Sequence, residues 1–281
     1  MRTFLQTTGL ATVALTAALI FSSSETTEAG AIVHVGQRTT GRDSMDNVDH
    51  SIWNRLLHRY VDSDGYVDYR SWHKSVIDRQ ALSEYLNKLS QVNPQVSAGK
   101  DATLAFWINA YNAVTVYGIL REYPTTSIRN HTAKLFGYNI WKDLQLYVGG
   151  KAYSLEAIEH QTLRKMNEPR IHFAIVCASI GCPKLLNEAY SSGKVQQQLE
   201  ANAMDFFSRP QNFRYDVRQQ RFYLSSILSW FAEDFGSGQA AQLKAVSRWL
   251  PDQTSRTAAQ AGSGSISYLD YNWKLNDQAS R

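Results

Sequence analysis

Residues 101–122 read DATLAFWINAYNAVTVYGILRE. Leu104, Phe106, Trp107, Ile108, Tyr111, Val114, Val116 and Ile119 leave almost no side of a helix polar. A helix that is apolar all round is a buried one. Asp101 suits its N-cap, and Pro124 closes the segment. The stretch predicts a central helix, Ala102–Glu122, around which the rest of the chain packs. Asn109 and Asn112 sit three residues apart and so face one direction.

Upstream, Ile52, Trp53, Leu56, Leu57 and Tyr60 form a stripe that predicts a helix over Asp49–Tyr60. Tyr66–Tyr69 alternates like a short strand, and a further helix covers Ser75–Leu89 until Asn93-Pro94. Downstream, Gly149-Gly150 between Gln145–Val148 and Lys151–Ser154 signals a hairpin. Ser154 caps a helix over Leu155–Met166, Ile171–Cys177 reads as a buried strand, and Pro183 suits the first position of a new helix. Val195–Phe207, Ile227–Phe235 and Ala241–Leu250 read as helices. Phe213–Val217 with Arg221–Leu224 reads as a second hairpin, and Ile266–Trp273 as a last strand. With neither internal repeat nor linker, residues 46–281 are expected to form one helix-rich α+β domain with a small, mainly antiparallel sheet. Residues 32–45 are polar and aperiodic and are expected to be a flexible lead-in.

The 281 residues are 43% hydrophobic and 19% charged, which excludes a disordered chain. The net charge of +4, with basic residues scattered, does not point to nucleic acid. Arg2, the apolar run Leu10–Phe21 and Ala29-Gly30-Ala31 have the layout of a signal peptide cleaved after Ala31. The mature chain is expected to be periplasmic or secreted, with no transmembrane segment. The 7 Trp and 15 Tyr are a composition that fills cores and also lines pockets for organic ligands.

His and Cys concentrate together in one place, from Ile158-Glu159-His160 to RIHFAIVCASIGCP at 170–183. If Pro183 opens a helix, Cys182 lies at its N-cap, where free N–H groups and the helix dipole favour a thiolate. His172 and Cys177 are five apart, which in a strand puts them on opposite faces. Cys182, beyond the turn, is free to fold back over the His172 face, with His160 as a rival base. Glu159 falls on the apolar face of its helix, where a carboxylate is either paired or functional. The bland alternatives are a Cys177–Cys182 disulfide, two inert thiols, or a zinc site whose spacing fits no standard pattern. The run DSDGYVD at 62–68 lacks the spacing of an EF-hand. Neither a metal nor a cofactor is expected.

The runs FWINAYNA at 106–113, Ile158-Glu159-His160, RIHFA at 170–174 leading to Gly181-Cys182-Pro183, and YLDYNWKLN at 268–276 resemble the DUF547 family over about residues 46–277. The resemblance implies a fold related to papain-like and transglutaminase-like thiol enzymes, in a permuted arrangement because Glu, His and Cys follow in that order. It implies a Cys182–His172–Glu159 site and action on an amide or peptide-type bond, glutathione-like γ-glutamyl peptides among them. In this reading Cys182 attacks, His172 is the base and then the acid, and Glu159 orients His172. Asn109, Asn112, His160 and Ser179 are candidate substrate or oxyanion contacts. The rival reading is a non-catalytic peptide- or glycan-binding module with a Cys177–Cys182 disulfide.

Overall fold

The computed structural model describes residues 32–133 and 138–281. The signal-peptide reading falls on residues 1–31, outside the described residues. The first half is a helical layer, α1 (Ser51–Tyr60), α2 (Tyr69–Lys74), α3 (Val76–Ser90) and α4 (Lys100–Glu122). In α4 the side chains are buried nearly without a break from Leu104 to Val116, as an all-apolar helix requires. It begins two residues earlier than its polar pattern suggests. Asp101 lies inside the first turn, where its charge meets the positive end of the helix, and Gly99 holds the N-cap position.

Against this layer lies a sheet in which β1 (Val33–Val35) runs parallel to β2 (Leu144–Val148), and β2 pairs antiparallel with β3 (Lys151–Ser154). The lead-in reading is therefore corrected, because residues 33–35 are a paired strand. Leu144, Leu146 and Val148 point into the core on alternate positions. The hairpin turns on Gly149 and Gly150, whose φ values of +58° and +84° are the left-handed pair that such a two-residue turn needs.

The second half contains α5 (Ile140–Asp143), α6 (Val195–Ser208), β4 (Phe213–Asp216), β5 (Arg221–Ser225), α7 (Ile227–Trp230), α8 (Gln239–Val246), α9 (Gln253–Ala261) and β6 (Ser265–Leu269). Strands β4 and β5 pair antiparallel, and β6 joins β5 in parallel with Leu224 opposite Tyr268. The α+β class is as expected, but two mixed three-stranded sheets replace one mainly antiparallel sheet. One core surrounds α4. A second is aromatic, with Phe173, Phe206, Phe207 and Trp249 in mutual contact. Helix α6 joins them, giving Val195 and Leu199 to the first and Phe206 and Phe207 to the second. Among the described residues, no helix is long and apolar enough to cross a membrane.

Two expected elements near the cysteines do not form. Pro169–Phe173 is a short 3-10 turn, begun by Glu168 accepting from the Arg170 N–H, and the chain beyond it is irregular. Periodicity cannot tell a short buried apolar run that finds no ladder partner from a strand. Nor does Pro183 open a helix, since helical structure resumes only at Val195. The expected helix over Leu155–Met166 is present, but it widens to π-helical bonding over Ala157–Leu163 and ends at Asn167, which has φ +52°.

Candidate active site

The irregular segment 174–190 is held to α4 by the two asparagines. Asn112 donates from Nδ2 to the carbonyl of Ala174 (3.0 Å) and accepts from the Val176 N–H (3.0 Å). Asn109 treats Tyr190 in the same way, at 2.8 and 3.0 Å. Both are fully buried, and both ends of each amide are engaged by backbone. They position the loop, which corrects their reading as substrate or oxyanion contacts. A second brace comes from the C-terminal segment. Ile180 and Gly181 donate to the carbonyls of Lys274 and Asn272, both at 2.9 Å, and Asn276 donates to Ala178 at 3.2 Å. Gly181 is required by close approach, because a Cβ there would lie 2.9 Å from the Asn272 nitrogen and 3.0 Å from the Tyr271 ring.

These braces gather donors around one sulfur. Cys182 Sγ accepts from the Cys177 backbone N–H at 2.9 Å and from the Tyr271 hydroxyl at 3.0 Å, and it lies 2.7 Å from Cys177 Sγ. Ser179 Oγ is 3.5 Å from the sulfur but only 2.7 Å from the Tyr271 oxygen. Its single hydrogen is better spent on Tyr271, leaving the tyrosine hydrogen for the sulfur. Burial opposes a thiolate here, yet the Cys177 S–H and N–H and the Tyr271 hydroxyl, with Ser179 supporting the tyrosine, outweigh it. The Cys182 thiol falls from 9.0 to about 6. Cys177 moves well upward, because its S–H is the donor to Cys182 and because it is buried. Both cysteines are free thiols. The anion is thus stabilised by side chains and one backbone N–H, which corrects the reading that a helix N-terminus does so.

His172 is almost fully buried and its Nε2 lies 2.7 Å from Asp234 Oδ2. Its ring stacks on Phe231 with centroids 4.1 Å apart. Arg164 grips the same Asp234 with Nε at 2.6 Å and a terminal nitrogen at 2.8 Å, and also pairs with Glu233. Burial pushes His172 down to about 4 against the pull of Asp234, so the imidazole is neutral near pH 7. With Nε2–H given to Asp234, the lone pair sits on Nδ1. His160 is exposed, and its Nδ1 lies 3.1 Å from Arg164. It belongs to the outer side of this ion-pair cluster.

Glu159 does not bond to His172, and the orienting carboxylate is Asp234. That corrects the expected partner. Glu159 Oε2 instead accepts from the Tyr111 hydroxyl at 3.4 Å. Burial raises Glu159 from 4.5 to about 7, with the nearby Cys182 charge adding to the effect and Tyr111 opposing it. What Cys182, His172 and Glu159 share is one cavity of about 160 Å³. Its walls are largely aromatic, lined by Trp141, Trp230, Trp273, Tyr111, Phe231 and Tyr271. Among the described residues, no group of three or more His, Cys, Asp or Glu is placed to hold a metal ion. Asp234 and Tyr271 escaped the sequence reading as site residues. Only Tyr271 had a signal, its place in the aromatic run at 268–276.

Fold and site together define an α+β protein with a buried, donor-ringed thiol in an aromatic cavity beside a His–Asp pair. Residues 96–207 match the family model described as "Protein of unknown function, DUF547". That segment includes α4 and both cysteines but ends before Asp234 and Tyr271. Comparison with curated proteins and with solved structures returns no match.

Proposed function

We propose that the protein is an exported thiol-dependent hydrolase or transferase acting on an amide or peptide-type bond, with Cys182 as nucleophile. The observation that carries this is the depressed Cys182 thiol at the cavity floor, ringed by hydrogen-bond donors. A structural cysteine in an apolar core has its acidity shifted the other way. Cys182 Sγ attacks the carbonyl carbon, and the C–N bond breaks as the amine leaves with a proton. Glu159, at about 7, is the carboxyl able to supply that proton at neutral pH. The acyl group is left on sulfur as a thioester. Water, or an acceptor amine or thiol, then gives its proton to Nδ1 of neutral His172 and takes the acyl group. The thiolate is regenerated, and the proton passes to solvent, from which Glu159 is reloaded. Asp234 holds the imidazole in this tautomer.

The test is turnover of a panel of peptide amides and thioesters, with mass spectrometry for an acyl group on Cys182. Wild type should turn over at least one class and Cys182→Ala none. An equal rate in Cys182→Ala would overturn the assignment. Export has its own check, since N-terminal sequencing of the mature protein should begin at Ile32, and a mature chain beginning at Met1 would refute it.

A further inference from the structure

The walls of the cavity restrict what can reach Cys182. Resting on the thiol-nucleophile reading above, we infer that the site takes acyl donors whose bound end is a flat, uncharged apolar or aromatic group, and that it excludes donors bearing a carboxylate there.

Two sets of observations carry this. The first is the indole wall. Trp230 lies nearly parallel to Trp273, with centroids 5.6 Å apart and planes at 23°. Trp141 meets Trp273 edge-on at 6.3 Å, and Tyr271 adjoins Trp230 at 4.8 Å. Trp230 remains 49% exposed despite its size, on a cavity wall rather than on a convex surface. A half-exposed indole on a cavity wall, backed by a second indole, is a surface that a planar apolar group covers with gain.

The second is charge. Among the described residues, neither lysine nor arginine lines this cavity. Arg164 is engaged by Asp234 and Glu233 on the far side of His172. Arg129 lies over the Trp273 ring at 5.3 Å and is outside the lining. The lining groups that ionise near neutral pH are Cys182 and Glu159, and both become anions. A carboxylate entering here loses its water, gains no cationic partner and faces like charge.

The test compares alkylation of Cys182 by iodoacetamide, N-benzyl iodoacetamide and iodoacetate at pH 7, each normalised to its rate with free cysteine. The normalised N-benzyl rate should exceed that of iodoacetamide by about tenfold, the scale of one well-placed aromatic contact. The iodoacetate rate should fall below it by about the same factor, roughly the effect of one partly screened like charge. Trp230→Ala should bring the N-benzyl ratio toward one, and Glu159→Gln should narrow the iodoacetate penalty. Equal normalised rates, or faster reaction with iodoacetate, would overturn the inference while leaving the nucleophile in place. Cys182 that fails to react with iodoacetamide itself would instead overturn the thiol reading. As a direct check, glutaryl para-nitroanilide, whose acyl group bears a carboxylate and no ammonium, should be turned over far more slowly than phenylacetyl para-nitroanilide, and the reverse order would refute the exclusion.

Discussion

Replacing Tyr271 by Phe keeps the ring against Trp230 and Trp273 and deletes one hydroxyl, the one 3.0 Å from Cys182 Sγ. The fall of the thiol from 9.0 to about 6 corresponds to about 4 kcal/mol of preference for the anion, at 1.36 kcal/mol per pH unit. That preference is what remains after burial has been overcome, and the direct donors share it. A hydrogen bond to a charged group contributes about 1.5–3 kcal/mol, so losing one should lift the thiol by about one to two pH units. Ser179, freed from Tyr271 and 3.5 Å from the sulfur, can turn its hydroxyl onto it. The expected rise is therefore the smaller figure, to about 7. The assay is the pH dependence of iodoacetamide alkylation, read on the Cys182 peptide by mass spectrometry. Stability should follow with a definite sign. A depressed thiol contributes fully above its unfolded value near ~8.5 and loses that contribution as pH falls through about 6. The melting deficit of Tyr271→Phe should thus be largest in mild alkali and fade below pH 6. A wild-type midpoint near ~8.5, a midpoint unmoved by the substitution, or faster labelling of Cys177 would each refute the reasoning.

Asp234→Asn removes the partner of both His172 and Arg164, and should lower turnover by about 10²-fold or more, within the usual range for losing an oriented acid–base group. Glu159→Gln should leave the His172 titration, followed by NMR, near its wild-type position, whereas Asp234→Asn should move it; the opposite pattern would restore Glu159 as the orienting group. His172 is buried neutral at about 4, so between pH 4 and 6.5 the unfolded chain binds the extra proton and stability rises with pH. Melting curves of His172→Gln should have a shallower rise over that window than wild type. Trp107, buried between Phe106 and Tyr153, should cost about 3–5 kcal/mol when replaced by Ala, as measured by urea unfolding; a loss below about 1 kcal/mol would mean that the site collapses without consequence.

Elements set by local pattern were legible in the sequence. Helix α4 declares itself because its apolar residues leave no polar side, and the β2–β3 turn does so because two adjacent glycines permit φ values closed to other residues. The site was legible only as a set of residue types. Cys182, His172 and Glu159 do line one cavity, but the arguments that selected Cys182 and His172 invoked a strand and a helix start that do not form. The contacts that define their chemistry span long separations, 62 residues from His172 to Asp234 and 89 from Cys182 to Tyr271. Periodicity has no access to such pairs, because they are fixed by which core each flanking segment joins. Asn109 and Asn112 show the same limit. Their spacing put them on one side of α4, but nothing local revealed that both would grip main chain on the irregular segment.

Tyr271 arrives late. Chains are made N-terminal end first, so Cys182 exists for 89 residues of synthesis before the hydroxyl that helps to ionise it. Until Trp273 and Leu275 have tied the closing segment to Ser127 and Thr126, the sulfur lacks that donor, and Ser179 has no tyrosine to support. The unfinished chain thus carries a thiol closer to ordinary acidity for as long as it is unfolded, and the sulfur meets its last donor only as the closing segment docks.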